Sequence, residues 1–294
     1  SLEKTIHSTV ERVSSFECIV FSKDRALQLH GLLATLQEKV APAIPVHVLY
    51  TVSSSPHQKA YNDVIDIFGT RNVYFTPQKN EHSFKSDLME ILFRLTCDVL
   101  FFLVDDILFT EPVDLRDVLK FDLDEFVPSL RMGRNLTRCY VLQAPQSLPH
   151  FLDHPSGDSD KIIWQWDKGE LDWSYPLSVD GHFFARREAA AMAALTSFAA
   201  PNSFEDALQI FRPLFEKRFG VGYNKSRIVN IPCNRVQTER SNLAGGTHPD
   251  ELLALWQKGY QIDFTKLFGI TNESVHQEIV LPLTRRTRQD STKK

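Results

Sequence analysis

The sequence predicts an α/β protein built on a mostly parallel sheet with helices on both faces. Short apolar runs alternate with amphipathic helical patterns over residues 16–111, at the spacing typical of parallel sheets. A hydrophobic content of 43% over 294 residues is enough to bury a substantial core. Ligands of such folds collect at the carboxyl ends of the strands, which directs attention to the polar residues there.

Four strands and three helices are predicted in the first 106 residues. FECIVFS (16–22) is typical of a buried strand, and apolar residues in DRALQLHGLLATLQEKV (24–40) recur with helical spacing. The later strands are VHVLYTV (46–52), NVYFTPQ (72–78) and VLFFLVDD (99–106), and the later helices are AYNDVIDIFG (60–69) and SDLMEILFRLTCD (86–98). Ser86 is the predicted N-cap of the last helix.

The regular alternation ends near residue 112, where a second half of the same domain begins. Residues 124–176 are rich in Pro, Trp and polar residues, which indicates irregular loops and short strands. The remaining elements are a strand and a helix in SVDGHFFARREAAAMAAL (178–195), the helix starting near Arg187; a helix in PNSFEDALQIFRPLFEKRF (201–219); a strand in SRIVNIPCNRVQ (226–237); and a helix in ELLALWQKGY (251–260). We divide the chain into halves 1–111 and 112–275, followed by a tail, 276–294, that is predicted to be disordered.

Composition and charge argue against some classes of partner and location for this protein. The formal net charge of −4 and the pI near 6.2 leave no basic footprint, which disfavours nucleic acid as a partner. Four widely spaced cysteines without a C-x-x-C pair favour buried free thiols and a reducing compartment. No apolar run approaches the ~18 residues that cross a bilayer, so we expect no transmembrane segment and a cytoplasmic or membrane-associated location.

Two adjacent aspartates, Asp105 and Asp106, interrupt the most apolar run of the chain, VLFFLVDDILF (99–109), with six apolar residues before them and three after them. Like charges at this point repel each other unless a cation, a hydrogen-bond donor or a proton compensates them. Carboxylates at a strand end are ligands that Mg²⁺ or Mn²⁺ accepts, and the cation would offset the charge of a diphosphate. The alternative is a surface acidic pair that caps the next turn.

A second acidic pair, Glu205 and Asp206, lies about 100 residues downstream in PNSFED. At a helix start, carboxylates are favourable partners of the helix dipole. A carboxylate there is also suited to act as a general base when its environment brings its pKa near the working pH. Both interpretations remain open on the residues alone.

The order of these features resembles a glycosyltransferase of the GT-A fold, which is Rossmann-like and uses nucleotide-sugar donors. FSKDRALQLHGLLATL (21–36) resembles the first strand and helix of such enzymes, where a polar stretch meets the nucleotide. SFKSDLMEIL (83–92) and VLFFLVDD (99–106) resemble the helix near the diphosphate and the metal-binding acidic strand end. SVDGHFFARREAAAMAAL and SFED resemble the passage that leads to the x-E-D motif of inverting members. The resemblance spans about residues 16–240, and it fits family 2-like or exostosin-like members.

The resemblance implies a division of labour between the halves. Residues 1–111 would bind a UDP-, GDP- or dTDP-sugar, and residues 112–275 would bind a glycan or glycoconjugate acceptor and carry the catalytic base, Glu205 or Asp206. Asp105 and Asp106 would match the D-x-D motif that holds Mn²⁺ or Mg²⁺ and the diphosphate. The pattern departs from that motif because Ile107 stands where a second aspartate is expected after Asp105. If neither acid in SFED is the base, the exostosin-like members indicate a retaining mechanism.

Several further residues are candidates for binding, each with a structural alternative. Ser22, Lys23 and Arg25 lie where the donor base or a phosphate is expected, although a solvated charge pair after a strand would look the same. Lys85 and Asp87 match positions near the ribose and diphosphate or are helix-cap residues, and His248 matches a late metal ligand or is a surface histidine. Asp180 is a candidate for holding a sugar hydroxyl, and His182 for an acceptor contact, a metal ligand or a structural histidine. Trp164, Trp166 and Trp173 would stack on a sugar or fill the core.

Two other functions fit the same fold class. A sugar-phosphate nucleotidylyltransferase would carry a glycine-rich signature after its first strand, and FSKDRAL contains no glycine. A catalytically silent carbohydrate-binding domain would have lost the acidic clusters, and both clusters are present. The sequence therefore favours the glycosyltransferase.

Overall fold

The computed structural model describes residues 15–153, 159–233 and 249–287. Its strands are β1 (Phe16–Lys23), β2 (Val40–Ala41), β3 (Val46–Thr51), β4 (Val73–Pro77), β5 (Val99–Val104), β6 (Ile107–Phe109), β7 (Val113–Asp114), β8 (Phe126–Gly133), β9 (Arg138–Cys139), β10 (Ala144–Pro145), β11 (Lys161–Gln165), β12 (Phe183–Ala185), β13 (Phe219–Tyr223), β14 (Ile228–Asn230), β15 (Tyr260–Ile262) and β16 (Leu283–Arg285). Its α-helices are α1 (Ala26–Lys39), α2 (Ser55–Phe68), α3 (Phe84–Arg94), α4 (Arg186–Leu195), α5 (Pro201–Leu208), α6 (Arg212–Phe215) and α7 (Pro249–Gln257). Short 3₁₀ helices lie at Leu115–Lys120, Trp166–Lys168, Leu171–Ser174, Gln209–Phe211 and Phe264–Leu267.

A five-stranded sheet forms the centre of the fold, in the order β12-β5-β1-β3-β4. The strands β5, β1, β3 and β4 are parallel, and β12 pairs antiparallel with β5 at one edge. The predicted α/β class with a mostly parallel sheet is confirmed. Because β1 and β5 are adjacent and parallel, the residues that follow both strands lie at the same edge of the sheet.

Both faces of the central sheet are covered, as the continuous apolar runs predict. Successive side chains of β1 point to opposite faces: Cys18 and Val20 join one core cluster, and Ile19 and Phe21 join the other. Apolar residues of α1 and α2 belong to the first cluster. Those of α3, α4 and α5 belong to the second.

Several helix boundaries differ from the prediction: α2 begins at Ser55 and not at Ala60, and α3 ends at Arg94 and not at Asp98. Helix α3 begins at Phe84 and not after a cap at Ser86, because Ser83 and Asp87 hydrogen-bond to each other across its first turn. The predicted helix over 201–219 is divided into α5, a 3₁₀ turn and α6. Pro213 lacks a backbone N–H and is tolerated only in the first turn of a helix, so α6 starts just before it.

The second half contains a smaller sheet in the order β11-β13-β8, and its tryptophans form core. Trp164, Trp166 and Trp173 are each 0% exposed and pack edge-to-face, with ring centroids 4.7 Å apart for the first pair and 5.0 Å apart for Trp164 and Trp173. The indole N–H of Trp173 donates to the Leu136 carbonyl at 3.2 Å. Of the two roles predicted for Trp166 and Trp173, stacking on a sugar or filling the core, their burial in this structure matches the second.

Three further expectations can be compared with the structure. All four cysteines are free thiols, three of them buried and Cys233 partly buried. Residues 276–294 are predicted to be disordered, whereas β16 lies within this range and pairs antiparallel with β15. None of the helices in the described ranges is long and apolar enough to span a membrane.

Candidate active site

The carboxyl ends of β1 and β5 bring together four side chains, which we name the strand-end cluster: Ser22, Arg25, Asp105 and Asp106. The Nη1 atom of Arg25 lies 2.9 Å from Asp105 Oδ1 and 3.1 Å from Asp106 Oδ2. Only 11% of the Arg25 side chain is exposed, so one guanidinium bridges two largely buried carboxylates. The adjacent aspartates are thus compensated by a residue of the chain itself.

Asp105 is held at both carboxylate oxygens. Its Oδ2 atom accepts hydrogen bonds from the Ser22 hydroxyl at 2.8 Å and from the Lys23 backbone N–H at 3.1 Å. The Tyr61 hydroxyl lies 2.5 Å from Ser22 Oγ and accepts from the Arg25 backbone N–H at 3.1 Å. Tyr61 was not among the predicted site residues, because it lies within a helix pattern whose apolar spacing indicates only core.

The turn between β1 and α1 has an unusual backbone. Asp24 adopts a φ of 55°, in the left-handed region that a residue with a side chain seldom occupies. Its carboxylate accepts a hydrogen bond from the Ser53 backbone N–H at 2.8 Å. Such strained positions concentrate at functional sites, where the surrounding contacts hold them in place. Arg25 follows this turn directly, and its guanidinium contacts both aspartates.

Asp106 differs from Asp105 because one of its oxygens has no partner in the described ranges. Its Oδ1 atom is buried there without a hydrogen bond. Burial raises the pKa of Asp106 to about 7, although Arg25 opposes this shift; the nearby Asp105 and Asp180 add to it. A proton on Asp106 near neutral pH would relieve part of the repulsion between the two carboxylates.

The residues predicted to hold Mn²⁺ or Mg²⁺ do not fit that role as folded. Three of the four carboxylate oxygens of Asp105 and Asp106 already accept hydrogen bonds. Within the described ranges, no group of three or more His, Cys, Asp or Glu side chains is arranged to hold a metal ion. His248, the third predicted ligand, lies outside the described residues. These metal ions are commonly held by one or two carboxylates together with phosphate oxygens and water, and here Arg25 occupies one oxygen of each aspartate.

A second group of side chains, the Glu205 cluster, consists of Arg131, Tyr175, Ser178, Asp180 and Glu205. Glu205 accepts hydrogen bonds from the Val179 backbone N–H at 2.8 Å and from the hydroxyls of Ser178 and Tyr175 at 3.1 Å each. Burial raises the pKa of Glu205 to about 7, and the charge of Asp180 adds to the shift against these hydrogen bonds. This carboxyl group exchanges its proton near neutral pH, as a general base must.

Arg131 joins the parts of the Glu205 cluster. Its Nη1 atom donates to Ser178 Oγ at 2.6 Å and lies 3.4 Å from Asp180 Oδ2. His276 Nε2 lies 3.7 Å from the same Asp180 oxygen. Arg131 was missed by the sequence analysis, although a charged residue within the apolar strand β8 is a detectable sign of a buried ion pair. His276, in the predicted tail, carried no such sign.

Asp180, a member of the Glu205 cluster, also acts on the strand-end cluster through its charge. Its charge raises the pKa of Asp106 in one cluster and of Glu205 in the other. The charge of Asp180 thus acts on both acidic motifs, which are separated by about 100 residues in the sequence. Of the pair Glu205 and Asp206, Glu205 is hydrogen-bonded to Tyr175, Ser178 and the Val179 backbone.

Other predicted site residues lie elsewhere. Lys85 Nζ donates to the backbone carbonyls of Thr196 and Ala194, which ties α3 to the end of α4. Asp87 accepts from the Ser83 hydroxyl at 2.6 Å and from the Lys79 backbone N–H at 3.0 Å, so it fixes the start of α3. None of these hydrogen bonds involves the strand-end cluster. Asp87 and Lys85 hold α3 in place in this structure.

His182 is also a structural residue in this arrangement. It is buried, its Nδ1 atom lies 3.0 Å from the Pro176 carbonyl, and its ring packs 5.4 Å from the Trp166 ring. Burial lowers the pKa of His182 to about 3, which keeps the imidazole neutral. The predicted roles of His182 as an acceptor contact or metal ligand have no support from this position.

The raised pKa of Glu205 predicts a pH dependence of stability. Glutamate in an unfolded chain titrates near ~4.3. The folded state binds the Glu205 proton more tightly than the unfolded chain does. The free energy of unfolding therefore contains the full contribution of this proton below pH ~4.3 and loses it as the pH rises through about 7. Urea denaturation of the wild type and Glu205→Gln is expected to show the wild type losing stability relative to the variant between ~pH 5 and ~pH 8. A constant difference would contradict the raised pKa.

Fold and site together define a mixed α/β protein with a candidate catalytic site at the carboxyl ends of a mostly parallel sheet. No protein-family model matches the chain, and a search of curated proteins finds no match. Among solved structures, it is similar to TarS 1-349 of S. aureus in complex with UDP-GlcNAc, with a TM-score of 0.47, 13% identity, and coverage of 80% of this chain and 61% of that one.

Two other solved proteins are similar at lower scores. A nucleotidyl transferase from Methanothermobacter thermautotroptrophicus has a TM-score of 0.41 and 11% identity, and the match covers 72% of this chain and 88% of that one. The mannosyltransferase PcManGT from Pyrobaculum calidifontis, in complex with GDP-Man and Mn²⁺, has a TM-score of 0.33 and 15% identity over 45% of this chain and 41% of that one. A second structure of S. aureus TarS also matches, and this chain spans 36% of the length of that one.

Proposed function

We propose that the protein is a glycosyltransferase that moves a sugar from a nucleoside-diphosphate donor to a hydroxyl group of a glycan or other acceptor. One observation carries this proposal: the pKa of the buried carboxyl group of Glu205 is near neutrality, and the Asp180 charge that raises it also raises the pKa of Asp106 in the strand-end cluster. A strand-end site suits a nucleotide, and a tuned carboxylate beside it suits an acceptor hydroxyl.

Each cluster has one role in the proposed reaction: the Glu205 cluster accepts a proton, and the strand-end cluster binds the leaving group. Glu205 takes the proton of the acceptor hydroxyl as that oxygen attacks the anomeric carbon of the donor sugar. The bond between the anomeric carbon and the diphosphate oxygen breaks, and the nucleoside diphosphate leaves with the electron pair. Attack from the side opposite the leaving group inverts the configuration at the anomeric carbon. Arg25 offsets the charge of Asp105 and Asp106, and the exposed Lys23 side chain supplies positive charge at the strand ends, where the leaving diphosphate gains negative charge.

Tyr175, Ser178 and the Val179 backbone position Glu205 for this proton transfer. Their three hydrogen bonds fix the carboxylate, and the Asp180 charge keeps its proton affinity high. Arg131 holds Asp180 and Ser178 in place at the same time. The cluster thus supplies both the orientation and the basicity that a general base needs.

Ligand-induced stabilisation tests the proposal. Purified protein is heated with UDP, GDP, CMP or dTDP, and a ligand that binds only the folded state raises the midpoint temperature. We expect one nucleoside diphosphate to stabilise the protein, and the matching nucleotide sugar to release that diphosphate when an acceptor or water is present. Stabilisation without turnover would favour a silent binding domain, and no stabilisation by any nucleotide would contradict the proposal.

A further inference from the structure

The geometry of the strand-end cluster separates this chain from the metal-binding pattern that its motifs resemble. Arg25 Nη1 lies within 3.1 Å of one oxygen of Asp105 and one of Asp106, the same two oxygens that would face a bridging cation. The remaining oxygen of Asp105 accepts from Ser22 and from the Lys23 backbone. Asp106 Oδ1 alone is left without a partner in the described ranges.

A divalent cation and the Arg25 guanidinium cannot share this position. Mg²⁺ binds oxygen at ~2.0–2.1 Å and needs near-octahedral coordination. A cation at that distance from both bridged oxygens would stand against the Nη1 atom, and the two positive charges would repel in a largely buried site. To admit the metal, the chain would have to withdraw Arg25 from two ion pairs.

We infer that Arg25 is the resident cation of this site, so that a nucleoside diphosphate binds at the strand ends without a divalent metal. The identity of the ligand rests on the proposed function, whereas the occupation of the carboxylates by Arg25 does not. The Lys23 side chain, exposed at the end of β1, adds a further positive charge at this edge of the sheet. A guanidinium matches the geometry of phosphate oxygens and stays charged at any working pH.

Manganese binding to the protein without nucleotide tests the metal part directly. Free Mn²⁺ gives an electron paramagnetic resonance signal that decreases when the ion is bound. With equimolar EDTA-stripped protein, we expect the wild type and Asp105→Asn to leave the same signal. Wild-type binding that Asp105→Asn abolishes would overturn the inference.

A gain-of-binding variant sharpens this test. Arg25→Gln exposes both carboxylates, so we expect it to bind Mn²⁺ and to gain thermal stability from it, and Arg25→Gln/Asp105→Asn to lose both effects. The matched control is Arg187→Gln, which releases a single exposed carboxylate, Asp124, and is expected to gain no binding. If Arg25→Gln does not fold, the wild type and Asp105→Asn decide the question alone.

Nucleotide binding separates this inference from the proposed function. The Kd of UDP, GDP or dTDP is measured by calorimetry in EDTA and in Mn²⁺, and we expect the same value in both. A Kd about tenfold tighter in Mn²⁺ would overturn the inference while supporting the function. Absence of binding in both buffers would contradict the function, and the manganese titration would still decide whether Arg25 excludes the metal.

Discussion

Replacing Glu205 with glutamine is expected to lower kcat by about 10²–10⁴-fold, the range that loss of a general base produces. The glutamine side chain still accepts the Val179 backbone hydrogen bond and fits the same space, so the fold and donor binding should persist. The amide cannot take the proton of the acceptor hydroxyl. The variant therefore loses the proton-transfer step and keeps the donor-binding site. The measurement is steady-state release of the nucleoside diphosphate from its sugar, with kcat and the donor KM determined separately.

The pH profile gives this prediction a second readout. Because burial raises the pKa of Glu205 to about 7, the wild-type kcat should rise with pH until the carboxyl is ionised near that value. Residual activity of Glu205→Gln should lack this rise. A merely structural role for Glu205 would lower activity without changing the shape of the profile.

Two companion variants identify the base. Glu216→Gln is the matched control, because Glu216 follows on the same segment and pairs with Arg212 at 3.3 Å; it should retain the wild-type kcat. Asp206→Asn tests the other member of the predicted acidic pair. Full activity of Glu205→Gln together with inactivity of Asp206→Asn would move the role to Asp206.

The parallel half of the fold could be predicted because its determinants are local. Each strand of the central sheet is a short apolar run, and each following helix shows its own apolar spacing, so β1, β3, β4 and β5 were located within a few residues. The rule that parallel strands align their carboxyl ends then placed Ser22, Lys23 and the two aspartates together. Their proximity in the structure follows from that rule.

The partners of these residues could not be predicted, because they depend on side-chain geometry across long separations. Arg25 and Asp105 are 80 positions apart, and a polar turn after β1 is compatible with either a ligand contact or an ion pair. The sequence anticipated that something must compensate the aspartates and favoured a bound metal. The structure places a guanidinium there.

The second half was predicted least well, and the tryptophans show why. Irregular segments lack a period that would distinguish the inward face from the outward face, so Trp166 and Trp173 were candidates for stacking on a sugar. In the folded chain their rings pack against Trp164 in the core. Asp180 and Glu205 were named individually from their motifs, but their connection through Arg131 and Ser178 appears only once β8 and α5 are packed together.

Replacing Arg25 with glutamine is expected to lower the free energy of unfolding by about 3–5 kcal/mol, the cost of leaving buried charges without their partner. Two carboxylates lose one shared guanidinium, and 4% and 13% exposure of their side chains allows little help from water. The measurement is urea denaturation near neutral pH, followed by two probes whose transitions must coincide. Adding Asp106→Asn should recover part of the loss, since it removes one of the two repelling charges.

The control for this prediction is a second arginine–aspartate ion pair of this protein, one that is exposed to solvent. Arg187 and Asp124 are 2.9 Å apart with side chains 73% and 59% exposed, so Arg187→Gln should cost less than about 1 kcal/mol. If Arg25→Gln costs no more than this control, the aspartates are relieved by protonation or solvent, and Arg25 is not their essential counter-ion. A large difference between the variants would instead mean that the most apolar run of the chain can contain two adjacent aspartates because the turn after β1 places an arginine beside them.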